Sequence, residues 1–397
     1  MVASILLKPG RDKSVRQLHP WIFSGAIKEV TGDPRLGETV EVYTSEGELL
    51  GKAAYSPNSK ITARMWSFDP QEQIDRDFFQ RRLVQALALR QAVIPSGETN
   101  ALRLVYGESD GLPGLVVDRY ADWLVIQCLA AGADRWRDHL VDLLVQETGI
   151  TQIYERSDIE VRRLEGLQEQ VGLLKGSPPP ERLLVHENGL RFWVDIQKGQ
   201  KTGFYIDQRR NRQRVRELTA GRRVLNCFCY TGAFSVYALA GGATQAISVD
   251  SSAPALSWGK EHCGLNHLPG EKVEWVEGDV FSVLRRLRDR GESFDAVILD
   301  PPKFAPTAAQ VERASRGYKD INLLGFKLLR PGGLLITFSC SGGISVELFT
   351  KIVMSAAEDA RIEAGILERL SQGPDHPVGL SFPEGSYLKG LVCLVRR

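Results

Sequence analysis

Cysteine and long apolar runs are both scarce in this chain, and neither sign of charge is in excess. Its six cysteines among 397 residues are too few for a disulfide framework, and no C-x-x-C pair predicts a zinc site. No uncharged apolar segment is long enough to span a bilayer. The formal net charge is +1, so any contact with nucleic acid must come from local basic patches. We therefore expect a cytoplasmic chain with free thiols and with neither a membrane nor a metal as a partner.

The length of the chain predicts two or three domains. The first residues lack a basic region ahead of their short apolar run, so they do not have the pattern of a signal peptide. Alternating β patterns dominate up to about residue 70, and the Gly-Ser-Pro-Pro-Pro segment at 176–180 is the clearest linker. We predict three domains, over residues 1–71, 72–180 and 181–397.

Helices are predicted where apolar residues recur with helical spacing. These helices cover residues 73–93, 133–147, 208–219 and 307–329, and the last is expected to stop at 330–333 before a strand at 334–338. Turn residues predict hairpins at 45–48, 120–122 and 187–189.

The stretch from Val224 to Gly232 is the centre of the sequence pattern. It has the form of a short buried strand that ends in a tight turn, and a helix follows from 233 to 239. A second strand, at 246–249, ends on Asp250. In a doubly wound sheet this order places an acid over the ribose hydroxyls of a bound nucleoside.

The turn lacks the G-x-G-x-x-G fingerprint, whose glycines let the backbone approach a pyrophosphate. Gly232 is the one glycine between residues 224 and 232. A nucleoside cofactor without phosphates does not need the missing glycines, and S-adenosylmethionine is such a cofactor. An ordinary parallel-sheet crossover without a ligand is the alternative explanation of this stretch alone.

Strands alternate with helices through the rest of the C-terminal half, which predicts a mostly parallel, doubly wound α/β sheet. Ligands of such sheets bind outside the carboxyl ends of the strands. Five chemically capable side chains fall at those predicted ends: Asn226, Asp250, Asp279, Asp300 and Cys340.

Cys340 and Asp300 are the candidate catalytic residues. A thiol at a strand end beside a glycine pair can act as a nucleophile if a cation or a helix N-terminus favours its thiolate, and we expect the helix starting near Ile344 to do so. Asp300 precedes two prolines whose fixed φ angles make a rigid loop. Asp300-Pro301-Pro302 is related to the Asp/Asn-Pro-Pro-aromatic signature of amino-group methyltransferases, but Lys303 stands in place of the aromatic residue. This difference favours methylation of a pyrimidine carbon over methylation of an amine.

The N-terminal segment interleaves cations with aromatic residues, which suits a surface that meets phosphates and stacks bases. A solvated loop with a core tryptophan is the plainer alternative. The predicted helix at 208–219 carries four arginines, which indicates either a second basic surface or a solvated helix. The N-terminal candidates for RNA binding are Lys8, Arg11, Lys13, Arg16 and Trp21.

Ordered motifs along nearly the whole chain resemble the ribosomal large subunit RNA methyltransferase I family. They are HPWIFSG (19–25), GESDGLPG (107–114), KTGFYIDQR (201–209), CFCYTGAFS (227–235), VDSS (249–252), GDVF (278–281), LDPPKF (299–304), RGYKDIN (316–322), FSCSG (338–342) and YLKG (387–390). One departure is Cys229, which stands where the family often has serine.

The resemblance implies an N-terminal PUA-type RNA-binding domain, a small α+β central domain and a C-terminal Rossmann-like methyltransferase domain. It implies S-adenosylmethionine as the cofactor, 23S rRNA as the partner, 5-methylcytidine as the product and Cys340 as the nucleophile. Cofactor contacts are expected from Asn226, Cys227, Phe228, Tyr230, Thr231, Gly232, Asp250, Asp279, Tyr205 and Gln208. Further substrate contacts are expected from Arg209, Lys303, Arg316 and Lys319.

Two other functions remain open on the sequence. An N-methyltransferase acting on RNA or a small molecule would not need Cys340, and a non-catalytic ribosome-assembly protein would not need the acids at the strand ends. The base that removes the C5 proton is also open, with Asp375, His376 and Lys389 as candidates. Both a monomer and a homodimer are compatible with the sequence.

Overall fold

The computed structural model describes residues 3–304 and 310–396. The chain divides into two compact units, and each is described by itself. The first comprises Met1–His186, Val194–Ile206 and Pro374–Gly385; the second comprises Glu187–Trp193, Asp207–Gly373 and Ser386–Arg397. The domain boundaries at 71/72 and 180/181 stay predictions.

The first unit begins with a six-stranded sheet in the order β2-β6-β5-β4-β1-β3. Its alternating strands bury one face around Ile5, Val42 and Met65. Strands β4 and β5 pair antiparallel across the predicted turn at 45–48. The elements are β1 (Ser4–Leu7), α1 (Lys13–Arg16), β2 (Trp21–Phe23), β3 (Ile27–Thr31), β4 (Thr39–Tyr43), β5 (Leu49–Tyr55) and β6 (Ile61–Ser67).

A five-stranded sheet in the order β11-β10-β9-β8-β7 follows in the same unit. Its elements are α2 (Arg76–Val93), β7 (Ala101–Tyr106), β8 (Leu115–Tyr120), β9 (Trp123–Cys128), α3 (Ala131–Arg135), α4 (Arg137–Thr148), β10 (Gln152–Ser157), α5 (Val161–Leu164) and β11 (Gln170–Lys175). The single helix predicted over 133–147 is wrong, because Trp136 leaves the helical conformation at ψ 3° and divides it. The Trp136 ring packs 4.5 Å from Phe79, which holds this break in place.

The two-stranded sheet of β12 (Leu183–Glu187) and β13 (Leu190–Val194) confirms the predicted hairpin at 187–189. Asn188, at φ 51°, and Gly189, at φ 77°, occupy its turn. Positive φ at both central residues is the geometry that matches the right-handed twist of paired strands.

The second unit is built on a seven-stranded sheet in the order β16-β15-β14-β17-β18-β20-β19. Its first five strands are parallel, and β20 runs antiparallel to both of its neighbours. The elements are α6 (Arg209–Leu218), β14 (Arg223–Cys227), α7 (Ala233–Ala240), β15 (Gln245–Asp250), α8 (Ala253–Leu265), β16 (Val273–Glu277), α9 (Val280–Asp289), β17 (Phe294–Leu299), α10 (Val311–Lys327), β18 (Leu329–Ser339), α11 (Val346–Ala360), β19 (Ala364–Ser371) and β20 (Lys389–Val395).

The strand order reverses direction between β14 and β17. The chain first builds outward from β14 through β15 to β16, then returns to β17 and builds the other way. At such a switch point the connections leave the two central strands on opposite sides, which opens a crevice at their carboxyl ends. Residues at the ends of β14 and β17 therefore lie where a ligand of this fold class binds.

The predicted break at 330–333 is wrong, because those residues belong to β18. Phe294 of β17 pairs with Leu329, but Ala296 pairs with Leu334, so the extra residues form a bulge inside the strand. Gly332 permits this bulge at φ 78°. The predicted helix over 307–329 is described from Val311 to Lys327, and its expected start lies partly outside the described residues.

A buried ion pair joins α6 to the end of β12 within the second unit. The Arg212 guanidinium donates to both carboxylate oxygens of Glu187, at 2.8 and 2.7 Å, and both side chains are nearly inaccessible. The Tyr237 hydroxyl of α7 also donates to Glu187, at 2.8 Å. Bidentate geometry and the additional donor satisfy a carboxylate that would otherwise be costly to bury.

Replacement of Arg212 by Met is expected to lower the free energy of unfolding by about 3–5 kcal/mol, because the Glu187 carboxylate stays buried without its cation. Chemical unfolding monitored by tryptophan fluorescence measures the change. The Arg212→Met/Glu187→Leu double variant should recover most of the loss. Arg214 of the same helix pairs with Glu217 at the surface, so Arg214→Met should cost less than about 1 kcal/mol. A single Arg212→Met variant as stable as the wild type would contradict this account.

Candidate active site at the carboxyl edge of the sheet

The turn after β14 has an unusual backbone. Phe228 has φ 58°, Tyr230 has φ 48°, and Gly232, which precedes α7, has φ 72°. Left-handed conformations at bulky residues cost on the order of 1–3 kcal/mol each and persist where the surroundings enforce them. Such strain is concentrated at functional sites, so this turn is the first candidate for ligand contact.

Asp250, at the end of β15, holds this turn in place. One carboxylate oxygen accepts the Tyr230 N–H at 2.8 Å, and the other accepts the Ser252 N–H at 3.0 Å. The Cys229 N–H also donates to the Val249 carbonyl, at 3.0 Å. A carboxylate oxygen can accept two hydrogen bonds, so Asp250 can hold the turn and still accept from ribose hydroxyls.

Two buried polar atoms beside the turn lack a hydrogen-bond partner within the described residues. They are the Oδ1 atom of Asn226 and the Oγ1 atom of Thr231. The amide nitrogen of Asn226 is engaged, since it donates to Ser235 Oγ at 2.9 Å. An unsatisfied buried acceptor costs about 1–3 kcal/mol, and a polar ligand at the turn would remove that cost. These atoms therefore fit a cofactor with several hydrogen-bonding groups.

Gly232 is required by close packing as well as by its φ angle. A Cβ atom on Gly232 would lie 2.4 Å from the Trp275 ring, and a Cβ atom on Gly259 of α8 would lie 2.3 Å from it. Trp275 on β16 thus packs directly against the backbone of the turn. Sequence reasoning missed this residue, because nothing near Trp275 in the chain signals that two distant glycines make room for it.

Asp279 lies in the loop after β16, where it caps α9. Its Oδ1 atom accepts from the Ser282 N–H at 2.9 Å and from the Ser282 hydroxyl at 2.8 Å, and the side chain is exposed. The Gly278 N–H donates to the Asp250 carbonyl at 3.0 Å, which ties this loop to the end of β15. Capping alone explains the acid, and its expected place near an adenine stays a prediction.

Asp300, directly after β17, is oriented by a side chain from the start of α6. Its Oδ2 atom accepts from the Gln208 amide at 3.0 Å, and Gln208 Oε1 accepts from Asn211 at 2.6 Å. Gln208 thus fixes the Asp300 carboxylate, and its expected contact with the cofactor stays a prediction. The preceding apolar strand and Pro301 are buried, so the acid stands on a rigid base.

Cys340 is the first residue after β18 and is partly exposed, whereas the other five cysteines are buried. Burial raises the pKa of the Cys263 thiol to about 11 and that of Cys393 to about 12, and it raises the pKa values of Cys227 and Cys229 as well. Those thiols stay protonated near neutral pH. Cys340 is therefore the cysteine best placed to react.

The loop that follows Cys340 is held from two sides. The Tyr318 hydroxyl of α10 lies 3.0 Å from Ser341 Oγ, and the Lys389 ammonium of β20 donates to the Ser341 carbonyl at 2.8 Å. Helix α11 begins at Val346, two residues after the expected start at Ile344.

Asp375 and His376, two of the candidates for the base that removes the C5 proton, lie in the first unit. There Asp375 accepts a hydrogen bond from the Arg103 N–H at 3.1 Å.

The N-terminal RNA-binding candidates differ in how much of each remains accessible. Lys8, Arg11 and Lys13 are exposed, and Lys8 donates to the Gly25 carbonyl at 3.0 Å. Arg16 forms ion pairs with Asp12 and Glu48, so its charge is locally compensated. Trp21 is half-buried: its indole N–H donates to Glu108 at 2.8 Å, and its ring meets Phe382 edge-on.

The remaining candidates lie in several environments. Arg209 is fully buried in α6, because this face of the helix packs inward; its guanidinium does not lie on the surface. Lys303 is exposed, Arg316 pairs with Glu312, and Lys319 pairs with Asp359 at 2.8 Å. Tyr205 lies in the first unit, with the Lys201 ammonium 5.7 Å from its ring centre.

No group of three or more His, Cys, Asp or Glu side chains within the described residues could hold a metal ion. Over the same residues, no helix is both long and apolar enough to cross a membrane.

Comparison with protein families assigns both ends of the chain. Residues 168–390 match the model of the S-adenosylmethionine-dependent methyltransferase family, and residues 5–68 match a PUA-like domain. The methyltransferase match covers more than half of the chain. The prediction of a methyltransferase, its S-adenosylmethionine cofactor and the α/β fold with an N-terminal PUA-type domain are thereby confirmed.

Individual relatives agree with this assignment. The chain is 50% identical to the ribosomal RNA large subunit methyltransferase I of Shewanella amazonensis and 51% identical to that of Aeromonas hydrophila, over all of each chain. A solved methyltransferase structure complexed with SAH is 25% identical, with a TM-score of 0.86 over 99% of this chain and 100% of its own. A methyltransferase from Streptococcus mutans, 24% identical with a TM-score of 0.85, shares the fold over the same proportions. The chain therefore belongs to the ribosomal RNA large subunit methyltransferase I family.

Proposed function

We propose that the protein methylates carbon 5 of a cytosine in 23S ribosomal RNA through a covalent bond between Cys340 and carbon 6 of the base. The observation that carries this proposal is the position of Cys340. It is the partly exposed thiol of the six, and it lies at the same carboxyl edge of the sheet as Asp300 and the strained turn. The names of the relatives support ribosomal RNA of the large subunit as the substrate.

The chemistry requires a nucleophile because carbon 5 of cytosine is itself a poor one. Addition of the Cys340 thiolate to carbon 6 forms an S–C bond and makes carbon 5 an enamine-like nucleophile. S-adenosylmethionine would supply the methyl group: its sulfonium–methyl bond breaks as carbon 5 bonds to the methyl carbon, and the thioether S-adenosylhomocysteine leaves. Loss of the carbon 5 proton to a base then expels the thiolate, which restores the 5,6 double bond and frees Cys340.

Asp300 serves in this proposal as the group that binds the reacting edge of the base. Its carboxylate can accept from the exocyclic amine and from a protonated ring nitrogen 3, which stabilises the charge that develops as the thiolate adds. Gln208 holds one carboxylate oxygen, at 3.0 Å. That hydrogen bond limits rotation of the acid and leaves further lone pairs for the base.

The cofactor is assigned to the turn at 226–232 together with Asp250. Asn226 Oδ1 and Thr231 Oγ1 are buried acceptors that a bound ligand could satisfy, and Asp250 has lone pairs for ribose hydroxyls. We keep Asp279 and Tyr205 as proposed contributors. The side-chain amide of Asn226 is fixed by Ser235, so its carbonyl oxygen has a defined direction.

RNA capture is assigned to the exposed cations between β1 and β2, since Lys8, Arg11 and Lys13 have accessible side chains. Arg209 is withdrawn from direct RNA contact in this proposal because it is buried. We retain the three-domain division over residues 1–71, 72–180 and 181–397 and a cytoplasmic location, where ribosomal RNA would be met.

Product analysis tests the proposed reaction directly. Purified protein is incubated with methyl-labelled S-adenosylmethionine and protein-free large-subunit rRNA, and the nucleosides are separated after digestion. We expect the label in 5-methylcytidine. Label in an N-methylated nucleoside would overturn the carbon 5 assignment and favour chemistry at the Asp300 loop. Failure to label protein-free rRNA, with cofactor still bound, would contradict this substrate.

Replacement of Cys340 by Ala is expected to abolish methyl transfer, because carbon 6 then has no nucleophile. Cofactor affinity, measured by calorimetry, should stay within about twofold of the wild type, since Cys340 lies outside the turn that is assigned to the cofactor. Cys263→Ala is the matched control: this thiol is buried in α8, and its loss should leave transfer intact. Substantial activity in Cys340→Ala would exclude the covalent route.

Asp250→Ala is expected to weaken S-adenosylmethionine binding by roughly 1.5–3 kcal/mol, which is about 10- to 150-fold in Kd. The variant loses an acceptor for ribose and also releases the Tyr230 N–H that holds the strained turn. Asp295→Ala provides the control, because Asp295 accepts the Arg223 N–H at the opposite, amino edge of the sheet. An unchanged Kd for Asp250→Ala would remove this acid from the cofactor site.

A further inference from the structure

Lys389 is a buried cation at the end of a strand that has a neighbour on each side. It begins β20, where it pairs with Ser339 of β18 on one side and with Ser371 of β19 on the other. Only 6% of its surface is exposed. Lysine is rarely buried to this degree without an anionic or polar partner, because its ammonium loses most of its hydration.

The ammonium reaches the loop that carries the candidate nucleophile. Lys389 lies opposite Ser339, and its Nζ atom donates to the Ser341 carbonyl at 2.8 Å. Cys340 is the residue between those two positions. An ammonium has three N–H donors. Within the described part of the chain, one of them bonds to the Ser341 carbonyl. A site with this geometry can hold an anion beside residue 340.

The charges around Lys389 and Cys340 agree with such a pair. Burial lowers the pKa of Lys389, a charged Cys340 thiolate raises it, and the nearby Lys303 ammonium lowers it. Tyr318 faces Cys340 from α10, and burial raises the pKa of its phenol, so it stays neutral near pH 7. Because attraction between two charges is mutual, the ammonium that the thiolate stabilises also stabilises the thiolate.

We propose that Lys389 is a positioning residue whose ammonium keeps Cys340 in the thiolate form. An ordinary thiol has a pKa of about 8.5, so only a few per cent is ionised at neutral pH. An opposite charge a few ångströms away lowers such a pKa by about 1–3 units. The inference deepens the proposed function and rests on its assignment of Cys340 as the nucleophile, but it can be tested without methyl transfer.

The test is the rate at which iodoacetamide alkylates Cys340 from about pH 6 to about pH 10, with peptide mass spectrometry to locate the adduct. The thiolate displaces iodide, so the rate follows the ionised fraction. The other five thiols are buried and should react slowly. In the wild type we expect the alkylation rate of Cys340 to reach half of its maximum below about pH 8.5, because the ammonium favours loss of the thiol proton. This pH is the midpoint of the profile.

Lys389→Met is expected to move this midpoint upward by about one pH unit or more, since the side chain keeps its length but loses its charge. Lys389→Arg retains a cation and should restore a midpoint near that of the wild type. Lys303→Met is the matched cation control: Lys303 is exposed, so solvent and salt screen its charge and the midpoint should move much less. Lys389→Met is expected to fold, because Cys340 can take up a proton and no uncompensated charge then stays buried. Calorimetric binding of S-adenosylmethionine confirms folding of each variant.

Coincident pH profiles of Lys389→Met and the wild type would overturn the proposal. A midpoint for Lys389→Arg as high as that of Lys389→Met would also overturn it, because the cation would then not be the cause. The proposed function fails on a different result: an N-methylated product would exclude covalent carbon 5 methylation even if the alkylation profiles separate as expected.

Discussion

The Asp250 carboxylate is the constraint on which the candidate active site depends. Phe228 and Tyr230 occupy left-handed conformations that bulky residues adopt only where the surrounding structure enforces them. Asp250 accepts the backbone N–H of Tyr230 in that turn. Asn226, at the end of β14, and Thr231, in the turn, carry buried acceptor atoms that the described residues leave unsatisfied. A site that is strained and polar before a ligand arrives is preorganised, so the ligand is spared much of the ordering cost.

The reactive half of the site is organised by a different part of the sheet. Strand β18 ends just before Cys340, at the carboxyl edge of the sheet. The antiparallel strand β20 begins at Lys389, which pairs with Ser339 of β18. Gln208, from the start of α6, orients Asp300 from another direction. Lys389 thus holds the loop of Cys340, the proposed nucleophile, and Gln208 orients Asp300, the acid proposed to bind the cytosine. Reaction and positioning are therefore carried out by different residues that lie far apart in the sequence.

Much of this arrangement was predictable because parallel α/β sheets place their ligands by a general rule. The strand before Asn226, the acid at Asp250 and the partly exposed thiol at Cys340 all follow from apolar runs that end in polar residues. The predictions failed where a tertiary contact overrides local pattern. Trp136 divides one predicted helix because its ring packs on Phe79, and the bulge around Gly332 extends β18 through a segment that has the composition of a loop.

The sequence by itself determined the order of elements, the strand ends and the family, because hydrophobic periodicity, turn chemistry and ordered motifs are local properties of the chain. Only the tertiary structure decided which distant residues meet. It buried Arg209 although its charge suggested a surface, packed Trp275 against Gly232, and brought Lys389 to the loop of Cys340. Strand register and close packing set these contacts, and both depend on the whole sheet rather than on any segment of it.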